Sequence, residues 1–387
     1  MSESAIIKVS VIIPIYNAQE YLASTLQNVL GQVLKPIEII CIDDGSTDSS
    51  LEILNDFTLQ YKNIVVLSQK NMGAGKARNY GISVARGEYI AFLDADDYYP
   101  SIYTLEVLYR KAVGSKARIA GGSFSDFSEN VKNSTYGGIA SGYTFKNVGF
   151  IKYSNYQFDY GYHRFIYQRK FLNDYNIVFP NYRRFQDPPF FIEAMVKAEK
   201  FYAIPMVTYC YRVEHKRISW SDQKVNDYFE GLLHDLKLAK QYNLQKLYWI
   251  SLKRLQGEAR DIIYSACHQK KKKILELLCK LENNLTKEEL PLWEKIFLYH
   301  DMQRFIKCSM KHYETRSEHF EISKFINAYK SASSRIIKKE FPQIRKSLWG
   351  EMFWSQSFCL LTTGGATVDI IKQYIQSQGK KDGKQSS

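Results

Sequence analysis

The chain has 387 residues, 45% of them hydrophobic, and a formal net charge of +13 at pH 7. This length predicts two or three domains with ample core material, and the charge favours an anionic partner: a nucleotide, an anionic membrane surface or a nucleic acid. No apolar run approaches the roughly 20 residues that span a bilayer, and no signal-peptide pattern begins the sequence. The six cysteines lack the paired spacing of zinc or redox motifs, which predicts reduced thiols in the cytosol.

Short apolar runs alternate with helical patterns over the first hundred residues. Strands are predicted at 8–15, 37–42 and 64–67 and from residue 89, and helices at 21–30, about 48–61 and 73–85. This alternation predicts an α/β fold with a mostly parallel, doubly wound, Rossmann-like sheet. Sheets of this kind bind ligands at the carboxyl ends of their strands. The polar residues that follow each strand are therefore the first candidates for a functional site.

The strand that begins at Tyr89 ends in three carboxylates within four residues, Asp94, Asp96 and Asp97. Such a cluster costs free energy unless a cation or hydrogen-bond donors balance its charge. Mg²⁺ or Mn²⁺ carrying phosphate groups can supply that balance, because both ions prefer oxygen ligands. The alternative interpretation is a solvated acidic turn that only closes the strand.

The glycine-rich segment 72–77, MGAGKA, fits neither of two common phosphate-binding motifs. A P-loop needs glycine where Lys70 stands and Ser or Thr where Ala77 stands. The dinucleotide-binding fingerprint needs a third glycine where Arg78 stands. Both classes of nucleotide site are therefore excluded.

Four segments in register, VSVIIPIYN, DDGSTDSS, KNMGAGKARNYGI and ARGEYIAFLDADD, resemble the nucleotide-sugar-binding domain of family 2 glycosyltransferases. The resemblance implies the GT-A fold and an inverting enzyme that takes a sugar from a nucleoside diphosphate donor, with Mn²⁺ or Mg²⁺. It further implies that Tyr16 lies beside the base, that Pro14 belongs to the same nucleotide-binding set, and that Asp44 accepts a hydrogen bond from uracil. A UDP-sugar is therefore the expected donor.

The same resemblance assigns roles to three charged residues. Arg78 matches a basic residue near the nucleotide, Asp94 the ribose-side member of the Asp-x-Asp pair, and Asp96 the metal ligand. A pyrophosphate leaving group needs a cation to absorb its developing charge, which agrees with this assignment. As alternatives, Tyr16 is a residue that ends a strand and Arg78 a solvated helix residue.

The acceptor side of the resemblance rests on Asp187 and His215. Asp187 matches the family's general base, although Gln186 replaces the glutamate that often precedes it. An inverting transfer needs one carboxylate to remove the proton of the acceptor hydroxyl. Asp187 could instead cap the helix predicted at 188–197. His215 matches a histidine that reaches the metal or the diphosphate, with a basic surface turn as the alternative.

The C-terminal part shows a helical pattern from about residue 222 to 319, and then a segment of a different kind. Residues 333–342 and 347–378 resemble the end of a single-strand DNA transposase of the HUH class, with Tyr374 matching its nucleophile. That family's metal site is a His-hydrophobe-His triplet, which is absent among the seven histidines. We therefore expect the segment to be inert on DNA, with single-strand binding left open.

The sequence as a whole predicts a GT-A domain at 1–220, a helical region at 221–320 and a transposase-like tail at 321–387. The expected function is sugar transfer to a glycan or lipid-linked acceptor in bacterial capsule or lipo-oligosaccharide synthesis. The expected place is the cytoplasm, with peripheral contact at the inner face of the membrane left open, and nucleic acid is not an expected partner. Two rival functions remain: a DNA-binding or transposition protein, and an inactive protein that binds nucleotide sugars.

Overall fold

The computed structural model describes residues 6–128, 131–133, 143–213, 220–256 and Leu277. The predicted ligand His215 and the transposase-like tail both lie outside the described residues.

Nine strands of the described residues form one sheet. They are β1 (Val9–Ile15), β2 (Ile37–Asp43), β3 (Ile64–Ser68), β4 (Tyr89–Phe92), β5 (Ile119–Ser128), β6 (Val131–Asn133), β7 (Gly149–Lys152), β8 (Phe165–Gln168) and β9 (Lys200–Arg212). The helices are α1 (Leu22–Leu30), α2 (Ser50–Gln60), α3 (Ala74–Val84), α4 (Thr104–Ser115), α5 (Tyr153–Tyr156), α6 (Arg169–Asp174), α7 (Asp187–Ala198), α8 (Asp222–Gln241) and α9 (Gln245–Gln256).

The first four strands form a parallel unit in the order β3-β2-β1-β4. All residues of β2 and β4 are buried, as expected for parallel strands, which read as continuous apolar runs because both faces are covered. The register pairs Ile15 of β1 with Asp43 of β2 at their carboxyl ends. The turns that follow these two strands therefore lie side by side.

The second half of the sheet is mixed. β8 runs antiparallel between β4 and β5, β9 lies parallel to β5, and β7 closes the edge antiparallel to β9. In this order β9 runs in the same direction as β4, so the carboxyl ends of the two strands lie at the same end of the sheet although β9 comes from a distant part of the chain. The predicted α/β class is confirmed, with the predicted parallel strands forming the β3-β2-β1-β4 unit of a mixed sheet, and α8 and α9 are helical as predicted for the region that follows.

Two glycines allow close packing around the segment that precedes α7. Gly231 of α8 lies against Phe185, since a Cβ there would be 2.7 Å from the Phe185 ring and 2.9 Å from its carbonyl oxygen. Gly75 of α3 similarly lies against Gln186, at 3.1 Å. The segment before α7 is thus held between α3 and α8. None of the helices in the described ranges is long and apolar enough to cross a membrane.

Candidate functional site

Arg78 of α3 joins two carboxylates that come from different parts of the chain. Its Nη2 donates to Oδ1 of Asp94 at 2.7 Å, and its Nη1 donates to Oδ1 of Asp187 at 3.0 Å. The guanidinium is buried and lies against the rings of Tyr162 and Phe179, at 5.1 and 5.3 Å from their centroids. Arg78 is therefore not a solvated helix residue, and the alternative interpretation of it is wrong.

The electrostatics of this cluster follow from burial and charge pairing. Burial alone would lower the pKa of Arg78, but Tyr162, Asp94 and Asp187 raise it, so the guanidinium stays charged. Burial works to raise the pKa of Asp94, yet the attraction of Arg78 holds it below its ordinary value. The side chain of Asp94 is 29% exposed, so part of this carboxylate remains open to a ligand.

Asp187 is the first residue of α7, and Gln186 occupies the N-cap position without a side-chain capping bond. The interpretation of Asp187 as the helix cap is therefore wrong: the helix begins one residue earlier than predicted, and the carboxylate turns to Arg78 instead. Burial raises the pKa of Asp187, which Arg78 offsets only in part. Its side chain is 30% exposed, and its Oδ2 makes no hydrogen bond to any other described residue.

Asp44 follows β2 and is buried, with three of its acceptor positions filled by the chain. Oδ1 accepts from Gln69 Nε2 at 2.7 Å and from the Met72 amide at 2.8 Å, and Oδ2 accepts from the Gly73 amide at 2.7 Å. A carboxylate offers about four such positions, so one remains on Oδ2. Asp44 thus fixes the loop before α3 and keeps a single position for an outside donor.

Tyr16 and Pro14 lie at the carboxyl end of β1. Tyr16 is 52% exposed, and the Asp44 amide donates to the carbonyl of the preceding Ile15 at 2.7 Å. The turn is fixed further because Asn17 bonds to the turn after β2. Pro14 lies beyond the last β1–β4 pair, so its missing N–H leaves no ladder bond unmade. The backbone around Tyr16 is therefore held beside the turn that begins at Asp44, and the Tyr16 ring is exposed.

Asp96 is half-buried two residues after Asp94, and Asp97 is fully buried. Within the described ranges, no group of three or more His, Cys, Asp or Glu side chains could hold a metal by itself. Mg²⁺ often binds through one or two carboxylates together with substrate phosphates. Two partly open carboxylates at the end of a strand fit that kind of site, whereas they do not fit a closed, all-protein one.

Two residues of this region carry no recognisable signal in the sequence. Tyr209 of β9 donates to Asp97, and it is one of 29 tyrosines. His163 lies with its ring centroid 3.9 Å from that of Tyr209, is buried, and has no hydrogen-bond partner on Nε2 among the residues that the structure describes. The pairing of β5 with both β8 and β9 brings these two residues next to the Asp94–Asp97 turn, and this pairing is not visible in the sequence.

Comparisons with known proteins identify two families in the chain. Residues 10–176 match the model of the family Glycosyl transferase family 2, and residues 312–378 match that of the family Transposase IS200 like. The predicted similarity of the C-terminal segment to a transposase is therefore confirmed.

Individual relatives are bacterial. The chain is 40% identical over 123 residues to "Glycosyltransferase GlyA" of Streptococcus pneumoniae, covering 32% of this chain and 18% of the relative. It is 28% identical over 337 residues to "Cholesterol galactosyltransferase" of Borreliella burgdorferi, covering 79% and 91%. The crystal structure of S. aureus TarS 1-349 in complex with UDP-GlcNAc has a TM-score of 0.57 at 19% identity, covering 78% and 82%.

These matches differ in what they show. The chain spans less than half the length of the first curated relatives it matches, 18% of GlyA and 42% of the pneumococcal GlyG. These relatives therefore indicate a shared domain and not a shared whole enzyme. The likeness to TarS confirms the predicted GT-A fold. The family model identifies a glycosyltransferase family 2 domain at residues 10–176, which is less than half of the chain.

Proposed function

We propose that the protein transfers a sugar from a UDP-sugar to a hydroxyl of a glycan acceptor, with inversion at the anomeric carbon. The observation that carries this proposal is the pairing of Arg78 with both Asp94 and Asp187. One guanidinium brings the donor-side carboxylate and the candidate base into a single cluster, as a direct displacement between donor and acceptor requires.

The donor side is assigned to residues at the ends of β1, β2 and β4. The exposed ring of Tyr16 offers a face for the base, and the remaining acceptor position of Asp44 suits the N–H of uracil. Asp94 faces the ribose. Asp96 would hold Mn²⁺ or Mg²⁺, which would absorb the negative charge that develops on the departing diphosphate.

Asp187 is assigned as the general base. Arg78 holds Oδ1, which leaves Oδ2 to accept the proton of the acceptor hydroxyl. The raised pKa of Asp187 makes the carboxylate a stronger base than an ordinary aspartate. The half-buried Gln186 beside it adds no charge, so the reaction depends on one carboxylate.

The acceptor class is proposed from the relatives. Two of them are named as a glycosyltransferase of S. pneumoniae and a poly(ribitol-phosphate) glucosyltransferase of Bacillus spizizenii, and TarS was crystallised with UDP-GlcNAc. We therefore propose a bacterial surface glycan, such as a capsule or lipo-oligosaccharide, as the acceptor, and UDP as the nucleotide. We further propose that transfer takes place at the cytoplasmic face of the membrane.

Calorimetric titration of UDP in the presence of Mn²⁺ tests the donor site. We expect binding that requires the metal, that is lost in Asp96→Ala and that is unchanged in Asp174→Ala. Asp174 is a suitable control because it lies half-exposed in a surface ion pair with Lys170. Absence of metal-dependent binding in the wild type would contradict the proposal. Hydrolysis or transfer with a panel of UDP-sugars then separates an enzyme from an inactive binding protein.

A second function is favoured by one observation, the transposase match at 312–378. Binding of single-stranded DNA to the full chain, measured by fluorescence anisotropy against salt concentration, tests it. Binding that Asp96→Ala leaves intact would assign the C-terminal segment a role separate from the sugar site.

A further inference from the structure

The turn that carries Asp94 and Asp96 is anchored to the end of β9. The amide of Tyr98 donates to the carbonyl of Cys210 at 3.3 Å, and the amide of Cys210 donates back to Tyr98 at 3.0 Å. These two bonds form an isolated antiparallel bridge. A segment 112 residues away in the chain therefore determines where the acidic turn lies.

The hydroxyl of Tyr209 makes the central contact of this anchor. It donates to Oδ2 of Asp97 at 2.5 Å and accepts from the amide of Asp94 at 3.2 Å. One hydroxyl thus fixes both ends of the turn that contains Asp96. Its own ring cannot shift, because Tyr209 is buried and packs against His163 and Phe124.

Asp97 makes the second contact. Its Oδ1 accepts from the amide of Arg212 at 2.7 Å, and the carboxyl is buried. Burial, together with the negative charges of Asp94 and Asp96, raises the pKa of Asp97. A buried carboxyl in this position is costly unless its oxygens are bonded, so the bonds from Tyr209 and Arg212 are what keep it there.

Arg212 completes the anchor from the side of α1. Its Nε donates to the carbonyl of Asp96 at 2.9 Å, and its guanidinium lies over the ring of Tyr21, 4.4 Å from the centroid. The main chain of Asp96 is therefore held directly, in addition to the contacts of Asp94 and Asp97. The side chains of Asp94 and Asp96 are partly exposed, while their backbone is held by Tyr209 and Arg212.

We propose that Tyr209 and Asp97 are positioning residues, which hold Asp94 and Asp96 in the geometry that the metal-bound nucleotide diphosphate requires. The inference rests on the proposed function and adds two residues to it that do not themselves touch the substrate. Removing the Tyr209 hydroxyl leaves Asp97 Oδ2 and the Asp94 amide without their partner. The turn then relaxes, although the fold around it stays intact.

The test compares Tyr209→Phe with Tyr89→Phe. Tyr89 is a matched control, because it is buried and its hydroxyl donates to the carbonyl of Ala117 at 2.8 Å. It is the first residue of β4 and therefore lies at the opposite end of that strand from the acidic turn. Both variants lose one buried hydroxyl. Titration of UDP with Mn²⁺ is expected to give about a tenfold higher Kd for Tyr209→Phe, equivalent to about 1.4 kcal/mol, and no change for Tyr89→Phe.

A second readout needs no ligand. Amide hydrogen exchange of the free protein is expected to accelerate at residues 94–98 in Tyr209→Phe and not in Tyr89→Phe. If the wild type binds UDP and both variants bind equally well, the positioning role is overturned while the proposed function stands. If the wild type binds no UDP, the proposed function fails, and unchanged exchange at 94–98 would overturn the anchor as well. Asp97→Asn, which keeps an acceptor for Arg212 but not the carboxylate, should behave like Tyr209→Phe.

Discussion

The Arg78 guanidinium lies 3.0 Å from the Asp187 carboxylate, although the two residues are 109 positions apart in the chain. The same guanidinium binds Asp94, so one buried cation compensates two partly exposed anions. Without it, the two carboxylates would repel each other in a region that excludes much of the solvent. Arg78 therefore decides both where Asp187 lies and whether the site can hold its charges.

We predict that Arg78→Met destabilises the protein by roughly 2–4 kcal/mol, somewhat less than the 3–5 typical of breaking a fully buried pair. The reason is that Asp94 and Asp187 would remain close together without a compensating charge. Urea unfolding, followed by circular dichroism, measures the loss.

The control for this change is Arg86→Met. Arg86 also pairs with a buried carboxylate, Glu38 at 2.9 Å, but its own side chain is 68% exposed. Glu38 keeps its bonds from Ser10 and from the Arg86 amide, so the loss should be about 1 kcal/mol. Equal losses in the two variants would contradict the central role of Arg78.

Asp187→Asn is predicted to lower kcat by about 10²–10⁴-fold while leaving the affinity for UDP unchanged. The amide still offers an oxygen to Arg78 but can no longer take a proton. Steady-state kinetics and calorimetry together separate these effects. A variant that retains full kcat would remove Asp187 from the mechanism.

The pH dependence of kcat/KM should carry the signature of the same group. The base works only when deprotonated, and the pKa of Asp187 is raised above the ordinary value of 3.8. Activity is therefore expected to fall on acidification from a higher pH than for an ordinary aspartate. The residual rate of Asp187→Asn should lack this acidic limb.

His163 is predicted to make the folded protein sensitive to acid. Burial lowers the pKa of His163 to about 3, with Arg164 and Arg78 adding to the effect and Asp94 opposing it. Its value in the unfolded chain is 6.5, so between these two values the unfolded chain binds more protons. The free energy of unfolding is therefore unaffected by His163 above pH 6.5. Between pH 6.5 and pH 3 this histidine lowers it on acidification, by up to about 1.4 kcal/mol per pH unit.

The measurement is urea unfolding at several pH values between 4 and 7 for the wild type and for His163→Phe. Asp97 has a raised pKa and acts in the opposite direction over part of this range, so the difference between the two proteins isolates the histidine. A difference that does not vary with pH would show that His163 titrates normally in the folded state.

The parallel half of the fold was predictable because its signals are local. The run of apolar residues from Tyr89 and the carboxylates after it gave β4 and the acidic turn directly, and the strand β1 begins one residue from its predicted start. The places of Asp94 and Asp44 at strand ends follow from the same pattern.

The connections within the site were not predictable, because they depend on long-range pairing. The sequence gives no sign that Arg78 binds Asp187, or that β9 lies parallel to β5 and presents Tyr209 to Asp97. The capping interpretation of Asp187 failed for the same reason: a local preference for aspartate before proline competed with an ion pair to a distant arginine, and the ion pair prevailed.

Gly231→Ala tests whether the packing of α8 determines the position of Asp187. The new Cβ would lie 2.7 Å from the Phe185 ring and 2.9 Å from its carbonyl oxygen, two residues before Asp187. Because the carbonyl belongs to the main chain, the segment itself must shift. We expect a loss of about 1–3 kcal/mol in stability.

The activity should fall further than the stability loss alone implies, since a misplacement of about 1 Å in a catalytic group can cost about 10²-fold in rate. Gly114→Ala in α4 is the matched control, because within the described part of the chain the added Cβ would have no neighbour within 4 Å outside the adjoining residues and backbone of its own helix. That change should stabilise the helix by about 0.5–1 kcal/mol and leave kcat unaltered. Thermal unfolding and kcat are measured on both variants. If Gly231→Ala were as active as Gly114→Ala, the position of Asp187 would not depend on how closely α8 approaches Phe185, and the prediction would be contradicted.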